Sequence, residues 1–411
     1  VRFAITTVTG AQRSVRRAKF AFLNRHISDV PDRRFQLAAD EVLLINPNTG
    51  TLPMFRTRRD ADITVGIFSR HPVLIREQDP KGNPWGLSMP TLFHMTNDSG
   101  LFEEAEDLSD GEFNGWSYTQ GSKEYVPLYE AKMLGHFDHR FGTYQGATQA
   151  QLNSGSLPRP SVDEHDDPRF ELLAHYWVCL PEMTRKLNDR WSRGWMLGAR
   201  GITNMGNERT FVPSVLPASA VGNSFFLAVL DSPERGPLLH AAWSTLTFDY
   251  LARQKLSGSN VNQFVVKQLA CPTPDTFDEA APWRVDTSLS NWVRAYVLEL
   301  SFTSYRLKPY AQDLHDDGSP FRWDPERRAQ LRADLDAGFL HIYGLDRDEA
   351  EHVLDSFFVV RKYEERDFGE FRTKRLVLEA YDSMAEAIAN GGKGWKPLAD
   401  PPAGHGPRHP E

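Results

Sequence analysis

The sequence predicts an α+β protein, in which a mixed α/β domain is followed by a helical C-terminal module. Three observations lead there. β-prone stretches flanking a Thr9-Gly10 turn signal open the chain at 2–8 and 19–23. A strand–loop–strand pattern with polar Thr and Asn at its tip runs through 193–210. From 285 to 390, apolar helical stretches are delimited by capping residues and glycine stops.

With 411 residues, 40% hydrophobic and 25% charged, the chain can form two or three domains. No apolar run is long enough to cross a membrane, in keeping with a mean hydropathy of -0.49. Arg2, Arg13, Arg16 and Arg17 flank no continuous apolar segment, so no secretory leader is expected. Val1 fits a valine-coded start or a truncation. Cys179 and Cys271 are too few for a disulfide framework or a zinc site, which points to a cytoplasmic protein. A net charge of -8 argues against a chain that coats nucleic acid non-specifically. The charge is patchy, however. Residues 1–34 hold Arg2, Arg13, Arg16, Arg17, Lys19, Arg25, Arg33 and Arg34, and 185–209 repeat the bias with Arg185, Lys186, Arg190, Arg193, Arg200 and Arg209. The stretch 98–112 is acidic with no base. Such a pattern suits a basic groove-facing surface backed by an acidic one, or simply solvated faces.

Taken in order, segments 2–8 and 19–23 read as two strands, which cannot bury a core alone and must pair elsewhere. Residues 31–125 read as a connector: 40–45 lead into the turn-rich 46–51, and 55–70 place Ile63, Ile67 and Phe68 on one helix face with Asp60 near its start. The run 222–233 reads as an apolar helix with Phe225, Phe226, Ala228, Val229 and Leu230 in the core. A second helix covers 248–255, followed by a polar loop and a short helix or strand closed by Pro272 and Pro274. Residues 275–290 look like a linker. Trp292, Val293, Tyr296, Val297, Leu298 and Leu300 mark a buried helix. Asp324-Pro325-Glu326 starts the next, which ends at Gly344. Asp346 and Glu349 form a capping box for another, ending near Phe358. Residues 373–390 form the last helix, stopped by Gly391-Gly392, and the tail 397–411 is expected to be disordered.

Two segments carry a family resemblance. Gly222-Asn223-Ser224-Phe225-Phe226-Leu227 and Leu256-Ser257-Gly258-Ser259-Asn260, running on to Leu269-Ala270-Cys271-Pro272, resemble the end of the target-recognition domain in DNA methyltransferases of restriction-modification systems. There a Leu-Leu-Asn-Ser helix is followed by a Gly-Ser-x-x-Asn loop and a Leu-Pro-x-Pro exit. Tyr129-Glu130-Ala131-Lys132-Met133, with Asp138-His139-Arg140 downstream, is similar to the Tyr-Glu-Gly-Lys-Met segment that opens the domain, with Ala131 in place of the usual glycine. The 55–99 block looks like that of the large adenine-specific methyltransferases of type IIG-like and DISARM-like phage-defence systems. The resemblance covers most of 1–390. It implies that 1–30 are the last strands of a methyltransferase sheet, 126–275 a DNA target-recognition domain and 285–390 a helical module. It also implies duplex DNA and a methyltransferase catalytic domain or subunit as partners, with no membrane.

In that frame Lys132 and Arg140 are expected at phosphates or bases, since both are permanent donors and arginine can fork onto guanine. A structural Asp138–Arg140 cluster is the alternative. Asn204 and Arg209 sit in a loop able to read adenine and guanine, or one whose polar residues merely solvate a hairpin tip. Arg253, Lys255, Gly258, Ser259 and Asn260 form the first-ranked contact site, the small residues allowing close backbone approach to phosphates.

A rival reading is a metal-dependent nuclease built on Asp110, Glu130 and Lys132, for which two carboxylates and a lysine are suitable chemistry. His136, Asp138 and His139 could ligate a metal, but no third spaced ligand group stands out. A docking remnant that only binds a partner subunit is a third reading. No Asp/Asn-Pro-Pro-aromatic motif occurs: Asp400-Pro401-Pro402 is followed by Ala403, and Asn46-Pro47-Asn48 lacks the second proline. Neither a glycine-rich turn for S-adenosylmethionine nor a Walker loop is evident. The cofactor is therefore expected in a missing or partner domain, and the chain alone is not expected to methylate.

Overall fold

The computed structural model describes residues 5–10, 12, 15–188, 190–203, 206–256 and 258–410. Among them the fold is α+β, with five small sheets before residue 289 and a helical region after it. The strand Lys123–Tyr129 is buried continuously from Tyr125 onward, because neighbours cover both of its faces. It pairs antiparallel with Trp177–Cys179 and Tyr118–Gln120, and parallel with Ala220–Val221. Glu112–Phe113 and Phe102–Glu103 extend the same sheet. The boundary expected at 125–126 thus falls inside a strand, and the supposed connector contributes much of that sheet.

A second sheet places Trp195–Arg200 between Pro213–Pro217 and Phe225–Leu227, all antiparallel. The expected 222–233 helix is therefore two strands, Phe225–Leu227 and Val229–Leu230. Six apolar residues in a row satisfy either period, and the flanking Gly222 and Pro233 leave room only for short extended pieces. Close strand approach requires Gly198, where a side chain would collide with the Phe226 carbonyl and the Phe225 ring.

At the N-terminal end, Arg17–Phe20 pairs with Phe35–Ala38, a strand unassigned from sequence. The pair is fixed by packing of the Phe20, Phe22, Phe35 and Phe55 rings. Of the other expected strand, residues 1–4 lie outside the described residues and 5–8 form no strand.

Helices follow their capping signals closely. Arg58–Arg70 starts at Thr57, whose hydroxyl accepts the Asp60 N–H while Asp60 accepts from Thr57. Asp324 caps Pro325–Ile342, the Asp346/Glu349 box caps Arg347–Asp355, and Arg372–Ala389 packs along Pro325–Ile342. Phe358–Phe368 is a separate helix.

Two loops expected to be loose are packed instead. The 275–290 stretch contains a hairpin, Ala280–Ala281 with Arg284–Ser288, and buries Phe277 and Trp283. The tail is held by buried acceptors: Glu299 takes the Gly404 N–H at 2.8 Å and Asp334 takes that of Leu398 at 3.1 Å. Arg408 pairs with Asp316 at 2.6 Å. Its glycines let the backbone reach these carboxylates, which composition alone does not reveal. Among the described residues, no helix is long and apolar enough to cross a membrane.

Candidate nucleic-acid interface

The helix Leu246–Lys255 is the hub of the region. Its Asp249 is fully buried and accepts the backbone N–H of Thr210 at 3.0 Å and of Phe211 at 3.3 Å. The same carboxylate pairs with Arg209 at 2.8 Å and Arg253 at 3.3 Å. Arg209 also donates to the Ser244 carbonyl, while Arg253 donates to the Asn207 and Glu208 carbonyls and stacks on Phe357. Burial lowers the Arg253 guanidinium from its ordinary range, and Asp249 opposes that shift. Both arginines, expected to face DNA, instead close the 206–212 loop onto the helix.

Lys255 and Arg140 likewise turn inward. The Lys255 ammonium donates to the Ile45 carbonyl at 2.6 Å and to that of Gln268, over the Phe68 ring. Burial drives it well below the ordinary lysine range. Arg140 is 0% exposed, and donates to the carbonyls of His165, Asp167, Phe170 and Thr303. It clamps the 165–170 segment to Thr303 and is buried away from solvent. Lys132 is partly exposed, paired with Glu130 at 3.4 Å above the Tyr144 ring.

The nuclease geometry is not assembled. Glu112 pairs with Thr119 and Gln120 with Lys123, so Asp110 sits at the turn end of the sheet. Glu130 follows the opposite end of Lys123–Tyr129, roughly 20 Å away at about 3.3 Å per strand residue. His139 faces Glu171 and Asp138 faces His165, and among the described residues no three potential ligands gather for a metal.

What remains exposed is a lip. Gly258, Ser259 and Asn260 are open to solvent, and the backbone ties them to the strand–loop–strand expected to read bases. Thr203 N–H donates to the Ser259 carbonyl at 2.7 Å, and Val261 N–H donates to Gly201 at 2.9 Å. Ile202 and Asn260 form a bridge pair. Leu256 and Val261 are buried at the two stems, while Ile202 and Phe264 project outward. Asn204 lies outside the described residues.

Two further cations share one ring here: Arg200, counted in the sequence only as part of the basic 185–209 stretch, and Arg159, which sequence reasoning missed. Arg200 ends the strand leading directly into the lip, and donates through Nε to the Leu134 carbonyl at 2.8 Å. Arg159 and Arg200 share the Phe141 ring. No spacing in the sequence brings 141, 159 and 200 together; only the fold does. Comparisons with protein-family models, with curated proteins and with solved structures find no match.

Proposed function

We propose that this chain reads DNA sequence for an adenine-specific DNA methyltransferase of a restriction-modification or phage-defence system. S-adenosylmethionine binding and methyl transfer then belong to a separate catalytic domain or subunit. One observation supports the reading most: 201–203 and 258–261, both singled out by residue chemistry, are hydrogen-bonded into one exposed edge. Asn260 offers the paired donor and acceptor that match an adenine edge in the major groove, and the Ser259 hydroxyl can serve either base type. Ile202 and Phe264 give the apolar surface suited to a thymine methyl or an unstacked base. Because buried residues hold both stems, the edge is preformed and loses little freedom on binding.

The test is selection from a randomised duplex pool at low and physiological salt, with the bound fraction sequenced. One enriched short motif is expected. Asn260→Ala should relax preference at one position and cost about 1–3 kcal/mol for that base pair. Recovery of an unenriched pool at both salts would overturn the reading.

A further inference from the structure

A cleft of about 580 Å³ opens where three separate segments meet, within the roughly 300–1,000 Å³ of small-molecule sites. One side is a face of the helix Leu289–Ser301, on which Ser290, Asn291, Arg294, Ala295 and Leu298 recur at helical spacing. The second is the turn at 314–315, just past the helix Lys308–Asp313. The third is the tail at 403–405. Backbone contacts seat that tail. The Gly404 N–H donates to the buried Glu299 carboxylate, and at φ +82° a side chain on residue 404 would come within 3.4 Å of Ala295.

The lining divides by chemistry. Ala295, Leu298, Leu314 and Ala403 are apolar, whereas Ser290, Asn291, Arg294, His315 and His405 bring polar groups. Among the described residues no carboxylate lines the cleft. Asp313, Asp316 and Glu299, which flank lining residues in sequence, pair instead with Arg193, Arg408 and Arg327. Arg294 donates through Nε to the Ser290 hydroxyl at 3.2 Å and through Nη2 to the Glu234 carbonyl at 2.9 Å. Among the described residues it forms no ion pair, and no protein acceptor takes its Nη1. His315 adopts φ +62°, a left-handed position past a helix end that glycine fills most cheaply. With histidine there, the turn carries a ring nitrogen to the cleft.

A guanidinium stays charged and its fork matches an oxyanion, while the Asn291 amide and each imidazole can add a further N–H. Donors on three segments suit a phosphoryl group, which offers three acceptor oxygens where a carboxylate offers two. The apolar lining beside them suits a ligand with an organic body. We infer that this cleft binds a small organic phosphate, with its phosphoryl oxygens toward Arg294, Asn291 and the two histidines and its body over Ala295, Leu298 and Ala403. A cleft of this size takes one small molecule and not a duplex, so the inference goes beyond the DNA-reading function and does not depend on it.

The test is calorimetric titration of the full chain with phenyl phosphate, inorganic phosphate, phenol and benzoate. Phenyl phosphate should bind about tenfold more tightly than any of the other three, which lack the body, the head or the third oxygen. Arg294→Gln should weaken it by about tenfold, the loss expected for a charge-assisted hydrogen bond. His405 is exposed, so His405→Ala should weaken it severalfold at unchanged Tm. In the wild type, phenyl phosphate should also shift the ring resonances of His315 and His405. No binding of phenyl phosphate, equal affinity in wild type and both variants, or unmoved histidine resonances would each overturn the site. Inorganic phosphate, phenol or benzoate binding as tightly as phenyl phosphate would overturn its assignment to an organic phosphate. If Arg294→Gln does not fold, His405→Ala and the resonances decide the matter by the same outcomes.

Discussion

Asp249 sets the reach of two arginines and the position of a loop with one carboxylate. Asp249→Asn leaves Arg209 and Arg253 partly buried without their counter-charge. It should cost about 3–5 kcal/mol, read from the urea unfolding midpoint. A loss below 1 kcal/mol would mean that solvent compensates for the carboxylate. A second buried acid gives a pH signature. Burial pushes the Asp334 carboxyl up to about 7 from an ordinary 3.8, although it accepts from Leu398 N–H and Tyr296 O–H. Between those two values the folded chain holds a proton that the unfolded chain has released. This group's contribution therefore falls as pH rises from about 4 to 7, by up to about 1.4 kcal/mol per pH unit. Wild type should gain stability relative to Asp334→Asn as pH drops from 8 to 5; a pH-independent difference would contradict this. The charged residues were legible in the sequence, but their ion-pair partners were so only where the pair sits four apart on one helix. Asp249 stands four residues before Arg253 on the helix Leu246–Lys255, a spacing that already marks an intrahelical pair. For Arg140 the sequence offered a structural cluster with Asp138, whose carboxylate does accept the Arg140 N–H, but not the carbonyls of distant segments that take its guanidinium donors.

Caps differ in what else they touch. The Asp346/Glu349 box serves only the start of Arg347–Asp355, so Asp346→Ala should cost about 1 kcal/mol. Asp60 caps Arg58–Arg70 but also accepts the Tyr250 hydroxyl at 2.9 Å and faces His352 at 2.9 Å. Asp60→Ala orphans a buried hydroxyl as well as a helix end, and should cost about 3 kcal/mol. Equal losses in parallel denaturation curves would show that the Tyr250 contact contributes nothing. Local cap chemistry is also why the helices were readable: Thr57, Asp324 and Asp346 act within three residues of themselves. The strands were less so. Phe225–Leu227 is buried on both faces, so alternation vanished and only its partner Trp195–Arg200 distinguishes strand from helix. Phe35–Ala38 lacked any turn signal tying it to Arg17–Phe20.

Across the whole molecule, the tail closes the helical region by adding donors to carboxylates that Tyr296, Arg327 and Gly318 already contact. Removing residues 397–411 takes the Leu398, Gly404 and Gly406 N–H groups from Asp334 and Glu299, and Arg408 from Asp316. The shortened chain should unfold several degrees lower by circular dichroism, and an unchanged Tm would show the tail to be decoration. The lip has the opposite character. Its fixation lies in the backbone bonds between 201–203 and 259–261 and in buried Leu256 and Val261, while the side chains of Ile202, Ser259 and Asn260 are exposed. Surface chemistry there can be exchanged without disturbing the scaffold, as a key's teeth are recut without altering its bow. Grafting should therefore move the edge residues and leave the socket behind. Under the proposed DNA reading, new specificities would arise at these few positions while the interior stays the same.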